Sequence, residues 1–256
     1  MMVNRGNQSQ LILGLLATAL AGSGCGDGSS APGQGNGSIA VDPPPQPAVD
    51  PSETGGEVAL EEVQIEFPRA IFIGTPKNNP DLKVKVIPKN RPPLTAPAGT
   101  VNVALGKAVT ASDDEPIIGD LEQVTDGDKE GTDGSFVEFG FGKQWVQIDL
   151  GERFELWGVV AWHYHSSERV YHDVVVQVSS DADFISDVET IYNNDADNSS
   201  GLGIGEDPEY FESNLGKMIR LDGSIIAQFI RLYTDGSTDD DQNHYVEVEV
   251  YGRKAP

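Results

Sequence analysis

The sequence predicts an all-β sandwich, or jelly roll, from residue 101 to the C-terminus. Short apolar runs recur there with turn residues between them: Trp145–Leu150, Leu156–Trp162, Val174–Val178, Phe229–Tyr233 and Tyr245–Tyr251. Several alternate apolar and polar residues, as half-buried antiparallel strands do. No stretch of comparable length carries a helical apolar stripe, and 29 Gly with 16 Pro supply many turns. All three Trp and all seven Tyr lie beyond residue 140, which places the packed core in this part.

The segments before it read in order as an export signal, a tether and a short extension. Arg5 precedes an apolar run, Leu11–Ala21, followed by small residues 22–24. This is the layout of a secretory signal peptide over 1–24, too short to span a bilayer. Cys25, the single cysteine, follows directly and resembles the lipidated first residue of a bacterial lipoprotein. Gly22 stands where such signals usually carry Leu, and cleavage after Ala21 is the competing account. The expectation is an exported chain anchored to the envelope by acyl chains on Cys25. Residues 25–56 are rich in Gly, Ser, Pro and Asp and hold too little apolar material to offset ordering entropy, so they read as a disordered tether. Within 57–100, Val63–Phe67, Ala70–Ile73 and Lys83–Ile87 read as short strands. Arg69–Arg91 holds six bases and one acid, which suggests docking on an acidic neighbour, with a separate small subdomain as the alternative.

That neighbour is strongly acidic. The whole chain is −24, and residues 101–256 alone carry 32 acids against 10 bases, or −22. Such a balance argues against nucleic-acid binding, which relies on Lys and Arg neutralising phosphates. One cysteine excludes an intrachain disulfide framework and any Cys-rich metal site.

The residues then carry a resemblance. Asn102–Ser112, the Val124–Asp128 turn, Trp145–Gly151, Asp173–Ser179, Phe229–Leu232 and Glu247–Gly252 follow one another as the landmarks of discoidin domains do. These are also called coagulation factor V/VIII type C domains, and they share the galactose-binding-like jelly roll with many carbohydrate-binding modules. The resemblance covers about residues 101–253. It implies a structural Ca²⁺ held by Asp126, Asp128, Thr132 and Glu247 together with backbone carbonyls. Asp and Thr oxygens in a tight turn are ligands of the hard kind that Ca²⁺ prefers. The competing reading is an Asp-Gly turn whose carboxylates cap backbone amides. The insertion Lys129–Gly131 before Thr132 is longer than the family pattern.

Two further clusters stand out. Asp195, Asp197, Ser199 and Glu206 fall at EF-hand-like positions, but Ser200 occupies the place where Gly is needed, so a solvated acidic loop is the better reading. His163, Tyr164, His165, Arg169 and His172 crowd one short segment. In extended chain His163 and His165 share a face, a spacing able to chelate Zn²⁺ or Cu²⁺ with His172 as a third ligand. Arg169 and the tyrosines equally suit hydrogen bonding and stacking against a sugar, and plain packing is the third possibility. Asn243–Tyr245, beside Asp239–Asp241, borders the same surface on this reading.

No Gly-x-Ser-x-Gly elbow, His-Glu-x-x-His or phosphate loop is present. The sequence therefore points to a non-catalytic envelope module that binds a carbohydrate or other surface ligand. The alternatives are an adaptor that docks another envelope protein, or a His-metal site.

Overall fold

The computed structural model describes residues 59–71 and 91–255. The expected signal peptide, Cys25, the tether and Lys83–Ile87 lie outside the described residues.

Nearly all regular structure is β, as expected. One sheet has the order β3 (Val101–Asn102), β12 (Glu247–Lys254), β6 (Gln144–Trp162), β10 (Ile226–Thr234), β7 (Val175–Ser179) and β8 (Glu189–Asn193). Strands β4 (Ala108–Ala111) and β9 (Lys217–Arg220) also pair with β6, and β5 (Val137–Phe139) pairs with β11 (Asn243–Tyr245). All these pairings are antiparallel.

The 19-residue β6 joins two runs that the sequence suggests as separate strands. Its first part, Gln144–Asp149, pairs with β4 and β10; its second part, Phe154–Trp162, pairs with β12 and β9. Between them Gly151 adopts φ +84°, and its N–H donates to Asp149 Oδ1 at 2.8 Å. Glycine takes that conformation without Cβ strain, so the strand can turn here and serve both layers. Val146, Ile148 and Leu150 from one part and Val159 and Ala161 from the other share one core with Val248 and Val250 of β12.

The second part reads Leu156-Trp157-Gly158-Val159-Val160-Ala161-Trp162, apolar throughout, because both of its faces are covered. The outer cover is the segment before residue 101. Leu94 is buried, and with Val63 and Ile65 it packs on Phe136, Val160, Trp162, Val246 and Tyr251. Asn214 ties the layers: its carbonyl accepts Trp162 Nε1–H at 3.0 Å, and its Nδ2 donates to the Pro68 carbonyl at 2.9 Å.

The extension thus docks, but its strands are misplaced by the sequence reading. The pair observed is β1 (Leu60–Glu62) with β2 (Thr95–Pro97), while Val63–Phe67 forms no strand. Val63 N–H donates to the Leu94 carbonyl at 2.8 Å, after which alternate side chains turn to the Trp162 cluster and Pro68 ends any ladder. The described contact is mainly apolar rather than a meeting of opposite charges. Arg91 lies 4.5 Å over the Phe67 ring and donates to the Leu215 carbonyl. Burial and the neighbouring Arg220 pull its pKa down to about 10.

Candidate functional site

The loops at one end of the roll gather the residues that the sequence singles out. The connection from β6 to β7 lies beside the one from β10 to β11. His172 N–H donates to the Gly236 carbonyl at 3.0 Å, Asp235 N–H to the His172 carbonyl at 2.9 Å and Thr238 N–H to the Val170 carbonyl at 2.9 Å. This small ladder sets Arg169 against Asp239 and Asp240, with nitrogen–oxygen distances of 2.8 and 3.3 Å. The guanidinium also sits 4.6 Å from the centre of the Tyr164 ring, a cation–π geometry. Arg169 is 5% exposed, whereas the Asp239 and Asp240 side chains are 51% and 34% exposed. The arginine is therefore fixed from below while its partners face solvent.

The histidines do not form the chelating face that their spacing suggests. Strand β6 ends at Trp162, and the two imidazoles turn to different partners. His163 is fully buried, with Nδ1–H donating to Glu212 Oε1 at 2.8 Å; His165 is 2% exposed, with Nε2–H donating to the Lys129 carbonyl at 2.9 Å. Among the described residues no His belongs to a cluster whose ligand atoms converge. His163 and His165 are thus corrected from ligand contacts to internal supports. Tyr164, Arg169 and His172 remain partly accessible or face the exposed acids.

His244 is a third internal support. The Tyr171 hydroxyl donates to its Nδ1 at 2.9 Å, and its Nε2–H donates to Glu138 Oε2 at 3.2 Å. Its ring lies 5.7 Å from that of Tyr164. Burial, with Arg169 nearby, lowers the His244 pKa to about 4, so this imidazole is neutral at pH 7 and both hydrogen bonds are consistent. Burial and Asp240 raise the Glu138 pKa.

The two acidic loops behave differently from one another. In the first, Gly127 N–H donates to Glu247 Oε2 at 3.1 Å, and Asp126 Oδ1 accepts Asp128 N–H at 2.7 Å. Glu247 is fully buried and its Oε1 has no partner. Burial, then Glu249 and Asp126, push its pKa up to about 9. A buried carboxylate with one unpartnered oxygen is what a bound cation would relieve, but among the described residues the carboxylates of Asp126, Asp128 and Glu247 do not form a group whose ligand atoms converge. Asp128 instead turns into its own loop, accepting Glu130 N–H and Ser135 Oγ–H. Thr132 is exposed, with its carbonyl accepting Ser135 N–H. The unexpected length before Thr132 has a packing role, because a Cβ on Gly131 would stand 2.9 Å from His165 Nε2.

In the second loop the carboxylates of Asp173, Asp195 and Asp197 approach within 4.8 Å of one another. Asp195 is fully buried, yet it accepts the backbone N–H groups of Ser199 and Ser200 at 3.1 and 2.9 Å. Burial would raise its pKa, but the Ser200 hydroxyl and then these amides hold it below the ordinary carboxylate value. The loop is organised by its own amides, and Glu206 is not part of the cluster.

No family model matches the sequence, and no curated protein does. Solved structures do. A family 89 glycoside hydrolase from Clostridium perfringens aligns at 20% identity over 60% of this chain and 15% of that chain, with a TM-score of 0.46. A fucose binding module of Streptococcus pneumoniae aligns at 20% identity over 60% of this chain and 99% of that one, at 0.44. An F-lectin from the serum of striped bass, Morone saxatilis, aligns at 15% identity over 62% and 50%, at 0.44. This chain thus spans about a seventh of the length of the hydrolase. The fold observed in this chain is an antiparallel all-β sandwich, on which the segments that resemble discoidin landmarks fall in order. Its own strands carry the landmarks in order: the Val124–Asp128 turn beside β12, Trp145–Gly151 in β6, Phe229–Leu232 in β10 and Glu247–Gly252 in β12.

Two site residues of this sandwich escape sequence reasoning. Glu212 lies 49 positions from His163 in a stretch without regular structure, and no spacing points to it. Glu138 is set opposite His244 by the β5–β11 pairing, in which the two are register partners. A cleft of about 480 Å³ at the other end of β7 and β10, lined by Arg153, Ser179, Glu189 and Ile226 among others, contains none of the expected site residues.

Proposed function

We propose that the chain is a non-catalytic carbohydrate-binding module of the cell envelope, exported and lipid-anchored through Cys25. The observation that carries this reading is the Tyr164–Arg169–Asp239–Asp240 cluster. An aromatic ring, an arginine held between carboxylates and partly exposed acids present fixed donors and acceptors at a loop end, which is what orienting sugar hydroxyls requires. Preorganisation favours affinity, since little side-chain freedom is left to lose on binding. His172 borders the cluster through the same ladder.

The non-catalytic part is supported by the placement of the acid–base pairs. His163 and Glu212 are sealed from solvent by their surroundings, and His244 and Glu138 are committed to each other. A Ca²⁺ held by Glu247 with the Asp126–Asp128 loop belongs to the proposal as a structural ion: it would neutralise buried carboxylates and tie β12 to the loop.

A glycan array followed by titration calorimetry on the full chain, with and without Ca²⁺, tests the reading. Binding weakened by Tyr164→Ala is expected. Failure to bind any sugar under either condition would overturn it, and capture of a single envelope protein instead would favour the adaptor alternative.

A further inference from the structure

Resting on that carbohydrate-binding reading, we infer that the preferred sugar carries a protonated amine and that glycans bearing carboxylates or sulfates are refused. The charge of the cluster is one-sided. Arg169 already faces two carboxylates, Asp239 at 2.8 Å and Asp240 at 3.3 Å, so one positive charge is set against two negative. Asp241, next in the chain, is exposed. Glu138, whose Oε1 accepts Gln242 Nε2–H at 2.5 Å, adds a further carboxylate, its own charge disfavoured by burial and by Asp240 nearby.

Arginine is the usual clamp for an anionic ligand, but here four of its five N–H groups are engaged. Nε and Nη2 donate to Ser167 Oγ at 3.3 and 2.9 Å, Nη2 also to Asp239, and Nη1 to Asp240. A ligand carboxylate would have to break these pairs and enter beside uncompensated acids. An ammonium group meets the opposite situation. Asp239 is half exposed, and among the described residues no donor reaches its Oδ1. It offers an acceptor to a compact cation with three donors, while the Tyr164 ring packs against the guanidinium of Arg169. The field of the whole domain, −22 over residues 101–256, adds attraction for cationic chains and repulsion for polyanions before contact.

The test is titration of the full chain with β-1,4-linked glucosamine oligomers, their N-acetylated counterparts and uronic-acid oligomers of equal length, below neutral pH where the amine is protonated. The amine form is expected to bind about tenfold tighter than the N-acetylated form, a difference of about 1.4 kcal/mol, and the uronate not detectably. The preference should shrink with added salt. In Asp239→Asn, a half-exposed position, the ratio of the two affinities should fall toward one, whatever happens to each affinity. Equal binding of the amine and N-acetylated forms, or tighter binding of the uronate, would overturn the inference while leaving carbohydrate binding intact. Binding of none of the three would overturn the inference, and the glycan array decides separately whether carbohydrate binding stands.

Discussion

The docking of the extension on β6 is most sharply tested at Leu94 and Gly158. Leu94 is 1% exposed, and its Cδ atoms occupy the space that a side chain on Gly158 would take. A Cβ built on Gly158 lies 2.9 Å from Leu94 Cδ1, 3.0 Å from Cδ2 and 3.4 Å from the Ile219 carbonyl oxygen. Leu94→Ala removes three buried carbons, about 2.4 kcal/mol of transfer free energy at ~0.8 kcal/mol each, and leaves a cavity that brings the cost to about 3 kcal/mol. For a unit of this size that is a fall in Tm of roughly 6–12 °C. Gly158→Ala overpacks the same spot and costs about 1–3 kcal/mol. In the double variant the added methyl enters the volume that the leucine vacated. The combined loss should then be smaller than the sum of the single losses by at least about 1 kcal/mol. Urea and thermal denaturation of the four proteins measure the cycle. Additivity within about 0.5 kcal/mol would mean that Leu94 does not pack over Gly158, and the covering of β6 by the extension would be wrong.

Other consequences follow from the buried charges. Glu247 has a folded pKa raised to about 9, so without Ca²⁺ the folded state holds a proton that the unfolded chain releases above its ordinary value of 4.5. Its contribution to stability is full below that value and is lost as pH rises toward about 9, with a slope of at most about 1.4 kcal/mol per pH unit. Chelated protein should show this decline. Ca²⁺ or Glu247→Gln should flatten it, and identical pH profiles for all three would count against the cation site. His244 acts in the opposite sense. Its folded pKa of about 4 lies below the ordinary 6.5, so stability falls as pH drops through that window while the unfolded chain takes up a proton. The wild-type minus His244→Gln difference in stability, followed by denaturation against pH, should shrink over that range. A constant difference would place the imidazole outside the buried chain from Tyr171 to Glu138. Asp195→Ala should cost about 2 kcal/mol by freeing the amides of Ser199 and Ser200, with faster hydrogen exchange confined to that loop. Unchanged exchange would show that the loop does not depend on this carboxylate.

The parts of the fold that were legible in the sequence are those fixed by local periodicity. Leu156–Trp162 is apolar without alternation because the strand is covered on both sides, and Phe229–Tyr233 is broken only at half-buried Arg231, whose guanidinium lies over the Trp145 and Phe184 rings. The extension was harder to read: Val63–Phe67 has a strand's composition, but its side chains find a better partner in the Trp162 cluster than its backbone finds in a neighbouring strand. The same limit applies to the candidate site. His163 and His165 share a face only if the strand continues through them, and it stops at Trp162. Their actual partners, a glutamate 49 residues away and the carbonyl of Lys129, are supplied by tertiary packing that no spacing encodes. Arg169 beside Asp239 and Asp240 was closer to legible, because a lone base and an acidic run flank strands that the pattern already places.

The acidity itself divides into two kinds once the loops are in place. Asp113, Asp126, Asp128, Asp149, Asp181, Asp197 and Asp222 each accept the N–H of the residue two positions on, at 2.7–3.0 Å. These carboxylates serve turns: a sandwich with many tight connections needs an acceptor at each, and aspartate supplies it with a charge that water screens. Such charges raise the domain's field without making any one place special. Asp239 makes no bond of this kind; its carboxylate meets only Arg169 and Ser167. Glu247 is likewise set apart, buried with one oxygen unpartnered. A charge of −22 is therefore a poor guide to where a cation or an amine is held. The informative carboxylates are Asp239, which no described backbone amide reaches, and Glu247, whose Oε1 stays unpartnered although Oε2 accepts Gly127 N–H; these are where the proposed amine and cation would be held.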